Sequence, residues 1–317
     1  MKTYIITWLR GNQTLYLSEI LGSQSNWSHD IKDALRFSQN NIPNLCIDKF
    51  YQVHDLSKLR KLIKSPLRYP GGKSRAIKHI LPLFPKGISK VVSPFMGGGN
   101  IEINLANQGI EVHAYDKFSP LIFCWQLINS VPVEFATLIQ KHYPLSEASF
   151  YREQKRYCSL LEADNFMEVR LELALWFFIL NRSSFNGTTL SGGCSNPSKQ
   201  FTQSSIDRVR NWQKLDNLKI GYADFKDSLN AHKDAFVFAD PLYMIDSNLY
   251  GNKGDLHKNF DHQGLFKYLN DRNGWILCYN DCSTIREMYS RFKIVEPEWS
   301  YGMGKNKKSR ELLILNY

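Results

Sequence analysis

The stretch Phe236-Val237-Phe238-Ala239-Asp240-Pro241-Leu242-Tyr243 runs four apolar residues into an acid, a proline, a leucine and a tyrosine. A carboxylate and a carbonyl at the end of a buried strand can accept hydrogen bonds from an amino group and favour its pyramidal, nucleophilic form. An aromatic amine such as the N6 group of adenine needs that help, because its lone pair is delocalised into the ring. Asp240 and the Pro241 carbonyl are the candidate acceptors, and Tyr243 offers an aromatic face for a base taken out of a duplex. With a methyl donor held in line, the transfer is mainly positioning and electrostatics. The tetrapeptide alone does not separate this chemistry from a turn at a strand end.

A second candidate is Ser93–Asn100, SPFMGGGN, which comes after a short apolar run and precedes IEINLANQG, read as a helix closed by Gly109. Glycines there let the backbone approach a ligand closely. A dinucleotide fingerprint starting at Gly97 would need glycine at position 102, which is Glu102. A phosphate-binding loop ending in Gly72-Lys73-Ser74 would need glycine at position 67, which is Leu67. Both fail. There remains a glycine loop with Asp116 at the end of the next strand, an acid placed to take ribose hydroxyls. A nucleoside cofactor without a pyrophosphate fits this pair better than NAD or ATP; a tight turn beside an exposed acid is the other reading.

The elements that must carry these residues are set by the hydrophobic pattern. The chain has 317 residues, 43% of them hydrophobic, enough for one large α/β domain and a smaller one. No apolar run approaches the roughly 18 residues that span a bilayer, and the first residues read as a hairpin around Gly11-Asn12, not a signal peptide. Six scattered cysteines form no C-x-x-C pair and do not group with the eight histidines, so no metal site is expected and reduced thiols in a cytoplasmic protein are. The net charge of +10 suits an anionic partner. Residues 1–64 read as a small α+β extension: strands over Thr3–Leu9, Thr14–Leu17 and Ile47–Val53, a short helix over Asp30–Phe37, and a basic helical connector over Leu56–Lys64. That connector is either a solvated linker or a DNA contact. From residue 65 to 317 strands and helices alternate, as in a mostly parallel sheet. The rhythm lapses over 130–216, where helices at Val133–His142, Phe150–Leu161 and Glu168–Leu180 form an inserted subdomain.

The order of segments narrows the reading. LRYPGGKS, PFMGGG, AYDKFSP, LNRSSFNG, YADFKD, ADPLY, SNLYG, FDHQGL, ILCYNDC and GMGKNKKSRELLILNY succeed one another along the chain. This series resembles the DNA adenine methyltransferase (Dam) family, over about Ser65 to Tyr317, in the class whose cofactor loop precedes its catalytic motif. The resemblance implies a seven-stranded Rossmann-like methyltransferase sheet with a helical inserted recognition subdomain. It implies S-adenosylmethionine as cofactor, with Tyr69, Gly71, Gly72 and Lys73 beside its methionine end. Pro94, Phe95, Gly97 and Gly99 match the family's cofactor loop, Asp116 the ribose acid, and Asp224 and Phe225 the pair bordering its adenine. Asp240, Pro241, Leu242 and Tyr243 occupy the catalytic D-P-P-Y position, and Asp240 also borders the cofactor.

Leu242 departs from that motif. Proline there would fix φ and remove an N–H, so leucine is expected to leave the chemistry in place at a lower rate. The segment Asn181–Gly187 matches the return of the recognition insert to the catalytic face. The stretch from Thr188 to Arg210 departs from the enzymes that read GATC, implying another short palindrome in double-stranded DNA. Arg182, Asn186, Lys199, Arg208 and Arg210 are candidates for phosphate or base contacts, each also readable as a surface charge. Lys305, Lys307, Lys308 and Arg310 crowd a C-terminal turn suited to gripping phosphate. No Pro-Cys pair supports the cysteine route of cytosine methylation. The expectation is N6-adenine methylation by base flipping, in restriction–modification or phage-borne modification, with a restriction endonuclease as a genetic partner and no membrane. Two other readings stay open: methylation of adenine in structured RNA, and a DNA- or cofactor-binding homologue disabled at Leu242.

Overall fold

The structure, a computed structural model, describes residues 61–162, 168–194, 196–244, 260–297 and 311–317, and the backbone of five strands between 3 and 55. Contacts divide the chain into two compact units, Met1–Leu62 and Ile63–Tyr317. The first holds an antiparallel sheet of β1 (Thr3–Arg10), β2 (Gln13–Leu21), β3 (Gln24–Ser28), β4 (Phe37–Ser38) and β5 (Tyr51–Asp55). β1 and β2 pair antiparallel out to Arg10 and Gln13, the pairing expected of the hairpin; Gly11-Asn12 lie outside the described residues. The helix expected over Asp30–Phe37 lies outside the described residues except Phe37, which is in β4.

The expected helical connector requires a correction. Residues 56–60 lie outside the described residues, and Lys61–Lys64 are not helical. Asn104 takes both backbone groups of Ile63, accepting from its N–H at 2.8 Å and donating to its C=O at 2.9 Å. Those are the groups a helix would need, and Pro66 close behind disfavours one as well.

The second unit is built on a seven-stranded sheet. Its strands are β6 (Lys90–Ser93), β7 (Glu111–Asp116), β8 (Leu218–Tyr222), β9 (Phe236–Ala239), β10 (Trp275–Asn280), β11 (Lys293–Val295) and β12 (Glu311–Asn316). The order is β11-β12-β10-β9-β6-β7-β8. The five strands from β10 to β8 are parallel, while β12 runs antiparallel to both neighbours. Near-continuous apolar runs such as WILC in β10 suit strands buried on both faces. Alternate residues feed two cores: Val91, Phe238, Ile276 and Leu313 face one, and Val92, Val237, Leu277 and Leu312 the other.

The first core is covered by α3 (Ser119–Ser130), α4 (Pro132–Gln140) and α6 (Arg170–Ser183), joined by α5 (Glu147–Leu161) and α8 (Gln203–Arg210). The second is covered by α9 (Phe225–Ala231), α10 (His262–Asn270) and α11 (Ser283–Met288). Shorter helices are α1 (Ile77–Ile80), α2 (Glu102–Asn107) and α7 (Pro197–Gln200). The helices of residues 130–216 share the core of the sheet: α6, apolar almost all round, is buried along most of its length and packs on α3. Among the described residues no single helix is long and apolar enough to cross a membrane.

The chain runs outward from β6 to β7 and β8, then returns to β9 on the other side of β6. In open parallel sheets such a reversal leaves a crevice beyond the carboxyl ends of the strands. β6, β7 and β9 end there in Ser93, Asp116 and Ala239-Asp240.

Candidate active site

A cleft of about 670 Å³ occupies that crevice, within the range of small-molecule sites. It is lined by the opening motif (Tyr69, Gly71, Gly72, Lys73), the glycine loop (Pro94, Phe95, Gly97, Gly99), Asp116, Asp224 and Phe225, and Asp240 to Tyr243. The loop packs under the opening motif. Gly97 and Gly99 have φ of +46° and +66°, a region that side chains rarely adopt. A Cβ on Gly97 would meet the Tyr69 ring at 3.1 Å, and one on Gly99 would meet Trp125 at 2.7 Å. Trp125 Nε1 donates to Gly97 O at 3.0 Å and holds the loop from α3.

Asp116 accepts backbone N–H bonds from Gly97 and Phe118, each at 3.0 Å, so one carboxylate joins the ends of β6 and β7. Burial pushes its pKa up to about 6, against those two bonds. Farther along, Phe95, Phe225 and Phe260 pack as a three-sided apolar wall, with centroids 5.5–5.9 Å apart. Asp224 caps α9 through a 3.0 Å bond from Lys226 N and pairs with Lys117 at 3.0 Å. An apolar wall at one end, an acid in the middle and a side-chain-free loop between them fit a nucleoside with a short charged tail.

At the other end lies the Asp240–Tyr243 tetrapeptide. Lys73 Nζ, 3% exposed, stands 2.7 Å from Asp240 Oδ1 and donates to the Tyr243 hydroxyl at 3.0 Å and to Gly71 O at 2.9 Å. The Tyr243 hydroxyl in turn donates to Glu311, whose carboxylate is 3.6 Å from Lys73. Burial raises the Asp240 pKa to about 6; Lys73 pulls it down and Glu311 pushes it up. Burial also holds the Tyr243 phenol well above its usual range. Tyr243 therefore stays neutral and serves through its ring and its hydrogen bonds.

The recognition candidates sit elsewhere. Asn181 accepts from Arg68 N at 3.0 Å and donates to Gly187 O at 3.0 Å, fastening Asn181–Gly187 to the residue before the opening motif. Asn186 adopts a left-handed conformation (φ 55°) in that return, beside the exposed Phe185. Arg182 is buried, 7% exposed, with its Nε unpartnered and one terminal nitrogen 3.4 Å from Gln200 O. Burial, then the charges of Arg68 and Arg208, pull its pKa down to about 9. Arg208 is exposed on α8 and reaches Ser65 O at 3.4 Å; Lys199 is exposed on α7. Arg210 is tied to Asp207 at 2.9 Å on its own helix. Lys305, Lys307, Lys308 and Arg310 lie outside the described residues.

Three residues of these sites carried no role in the sequence. Glu311 opens the last strand, where ELLIL signals only a buried β-segment. Glu102, noted only because it breaks a dinucleotide fingerprint, is a buried acid lining the cleft. Its pKa is raised by burial to about 7, and it accepts from Ser93 Oγ at 2.7 Å. Arg68 precedes the opening motif; its Nη1 donates to Gln200 Oε1 at 3.3 Å.

A mostly parallel sheet with a glycine loop after β6, an acid at the end of β7 and an Asp-Pro-x-Tyr loop after β9, on the other side of β6, fits a Rossmann-like methyltransferase. Residues 69–303 match the D12 class of N6 adenine-specific DNA methyltransferases, and the chain belongs to that family. The type II methyltransferase M1.LlaDCHI of Lactococcus lactis subsp. cremoris is 24% identical over 272 residues, 79% of this chain and 94% of the relative. The modification methylase StsI of Streptococcus sanguinis is 25% identical over 293 residues, and the match spans 83% of this chain but 44% of that protein. A 48-residue stretch is 48% identical to the type II methyltransferase M.FokI of Planomicrobium okeanokoites, 15% of this chain and 7% of that one.

Proposed function

We propose that this adenine-specific DNA methyltransferase uses S-adenosylmethionine to methylate N6 of an adenine flipped out of a short duplex site other than GATC. The observation that carries the reading is the convergence of Asp240, Tyr243 and Lys73 at the end of β9, in one cleft with the glycine loop and Asp116. When bound, S-adenosylmethionine supplies an electrophilic methyl group. The chain's own residues do the rest. The Asp240 carboxylate and the Pro241 carbonyl accept the hydrogen bonds of the target amine and direct its lone pair. The Tyr243 ring, its hydroxyl anchored on Lys73 and Glu311, provides the face on which the extruded base stacks. The nitrogen sheds a proton after transfer, and Asp240, with a pKa near 6, is a competent acceptor close to neutral pH.

In this reading Asp116 takes the cofactor's ribose and the three phenylalanines its adenine. Arg68, Arg182 and Arg208 meet the DNA backbone, where phosphate would relieve their mutual repulsion. Residues 1–64 act as a separate extension, and 130–216 as the recognition insert. One observation favours a second reading, a homologue that binds without turning over: Leu242 stands where the family motif has proline. Against it, the polar contacts of Asp240 and Tyr243 are assembled with leucine in place. Expression in a host lacking adenine methylation, with single-molecule sequencing of its DNA, tests the proposal. N6-methyladenine at one short motif is the expected result; unmodified DNA with soluble, cofactor-binding protein would favour the second reading.

A further inference from the structure

Asn280 ends β10 and Glu311 opens β12, and the antiparallel register sets the two directly opposite each other. Residues so paired project to the same face. Both side chains reach the end of the catalytic loop. Asn280 takes the two backbone groups of Met244, accepting from its N–H at 2.8 Å and donating to its C=O at 3.0 Å. Glu311, 7% exposed, accepts from the Tyr243 hydroxyl and faces Lys73 at 3.6 Å. One cross-strand pair thus grips consecutive residues of the loop, by backbone and by side-chain tip.

We propose that Glu311 is a positioning residue for methyl transfer, clamping Tyr243-Met244 of the catalytic loop together with Asn280 and sharing the charge of Lys73 with Asp240. The inference rests on the reading of the cleft as the site of adenine methylation. Its physical need is plain in two places. Leu242 leaves the middle of the loop without the fixed φ that proline would impose, so order has to come from outside the loop. Lys73 also stands at hydrogen-bonding distance from Asp240, the group that must accept bonds from the target amine. The second carboxylate, at 3.6 Å, shares the cation and weakens its hold on Asp240, which keeps its 2.7 Å contact with Lys73.

Glu311→Gln and Glu311→Ala in the full chain test the clamp. Among the described residues, the charged and titratable groups around Asp240 are Lys73 from the opening motif, Glu102 from α2, Cys278 from β10, Tyr243 in its own loop and Glu311. Of these, Glu311 pushes the Asp240 pKa up, so its neutralisation moves the acid limb of kcat to lower pH. Glutamine, which keeps the shape, is expected to lower kcat roughly tenfold and alanine roughly a hundredfold, with KM for cofactor and DNA held within about twofold. Hydrogen exchange of the peptide carrying Met244 is expected to quicken in the alanine variant. Wild-type kcat and an unmoved acid limb in both variants would overturn the proposal. So would parallel losses of kcat, KM and thermal stability with the limb in place, the pattern of a merely structural residue. If the unmodified enzyme proves inert on DNA, the methylation reading fails by itself, and the exchange comparison still decides the clamp: faster exchange upholds it and unchanged exchange overturns it.

Discussion

In the cleft, the buried ammonium of Lys73 has Asp240 at 2.7 Å and Glu311 at 3.6 Å. At the insert, the buried guanidinium of Arg182 has Arg68 and Arg208 for neighbours, and among the described residues none of the three forms an ion pair with a carboxylate. Both regions bury positive charge, which is costly unless it is compensated. The cleft compensates it internally, so its side chains are held before any substrate arrives. The arginine cluster is not compensated, and a phosphate would lower its energy. In the proposed reading, the difference separates a preorganised reaction site from a surface that DNA completes.

Removing the reacting end of the compensated cluster should have the largest effect. Asp240→Ala is expected to lower kcat by about 10³-fold or more while cofactor binding persists, measured by methyl incorporation into duplex DNA and by calorimetry. Next comes Lys73→Met, which removes the cation that pulls the Asp240 pKa down. In the unmodified enzyme that pKa is about 6, so the accepting carboxylate dominates above it and is lost as pH falls through it. Without Lys73 the pKa rises, and the acid limb of the kcat profile should move to higher pH, opposite to the shift expected for Glu311→Gln. A limb that stays in place would separate Lys73 from the reaction.

The uncompensated cluster should respond in the other sense. Arg208→Ala is expected to weaken DNA binding and to reduce the slope of log affinity against log salt by about 0.9, the loss of one phosphate contact, with kcat at saturating DNA unchanged. Arg182→Met should also weaken DNA binding, yet it relieves a buried, mutually repelled charge. A gain of about 1 kcal/mol, roughly 2–4 °C in Tm, is the outcome to look for by thermal melting. If both variants lose stability and leave the salt slope alone, the cluster is structural and the contrast with the cleft collapses. The smallest change should come from Leu242→Pro. It restores a fixed φ in a loop already gripped at Met244 and Tyr243, so kcat should hold or rise by no more than a few-fold (~2–5) in steady-state assays.

How legible each region is in the sequence depends on the forces that hold it in place. The cleft depends on backbone geometry at strand ends. Glycines at φ +46° and +66°, an acid closing β7 and an acid closing β9 leave local signatures in Ser93–Asn100, Tyr115-Asp116 and Ala239-Asp240. The alternation of strands and helices likewise announces a parallel sheet. Glu311 had no such signature. It reaches the cleft only because β12 inserts antiparallel between β10 and β11, a long-range register that nothing in ELLILNY encodes by itself. Arg182 and Arg210 look alike as charges near the insert's helices. Folding buries the first among other guanidinium groups and ties the second to Asp207, a distinction made by packing alone. The connector at Lys61–Lys64 has the composition of a helix, but the Asn104 side chain claims the backbone of Ile63.

Catalysis in this reading depends on the Asp240 carboxylate, held in the cleft, accepting the target amine of an adenine. The sharpest test is sequencing of DNA from a host without adenine methylation that expresses either the unmodified chain or Asp240→Ala at matched soluble levels. N6-methyladenine should appear at one short motif with the unmodified chain and be absent with the variant. Equal modification by the two proteins would refute the assignment of Asp240.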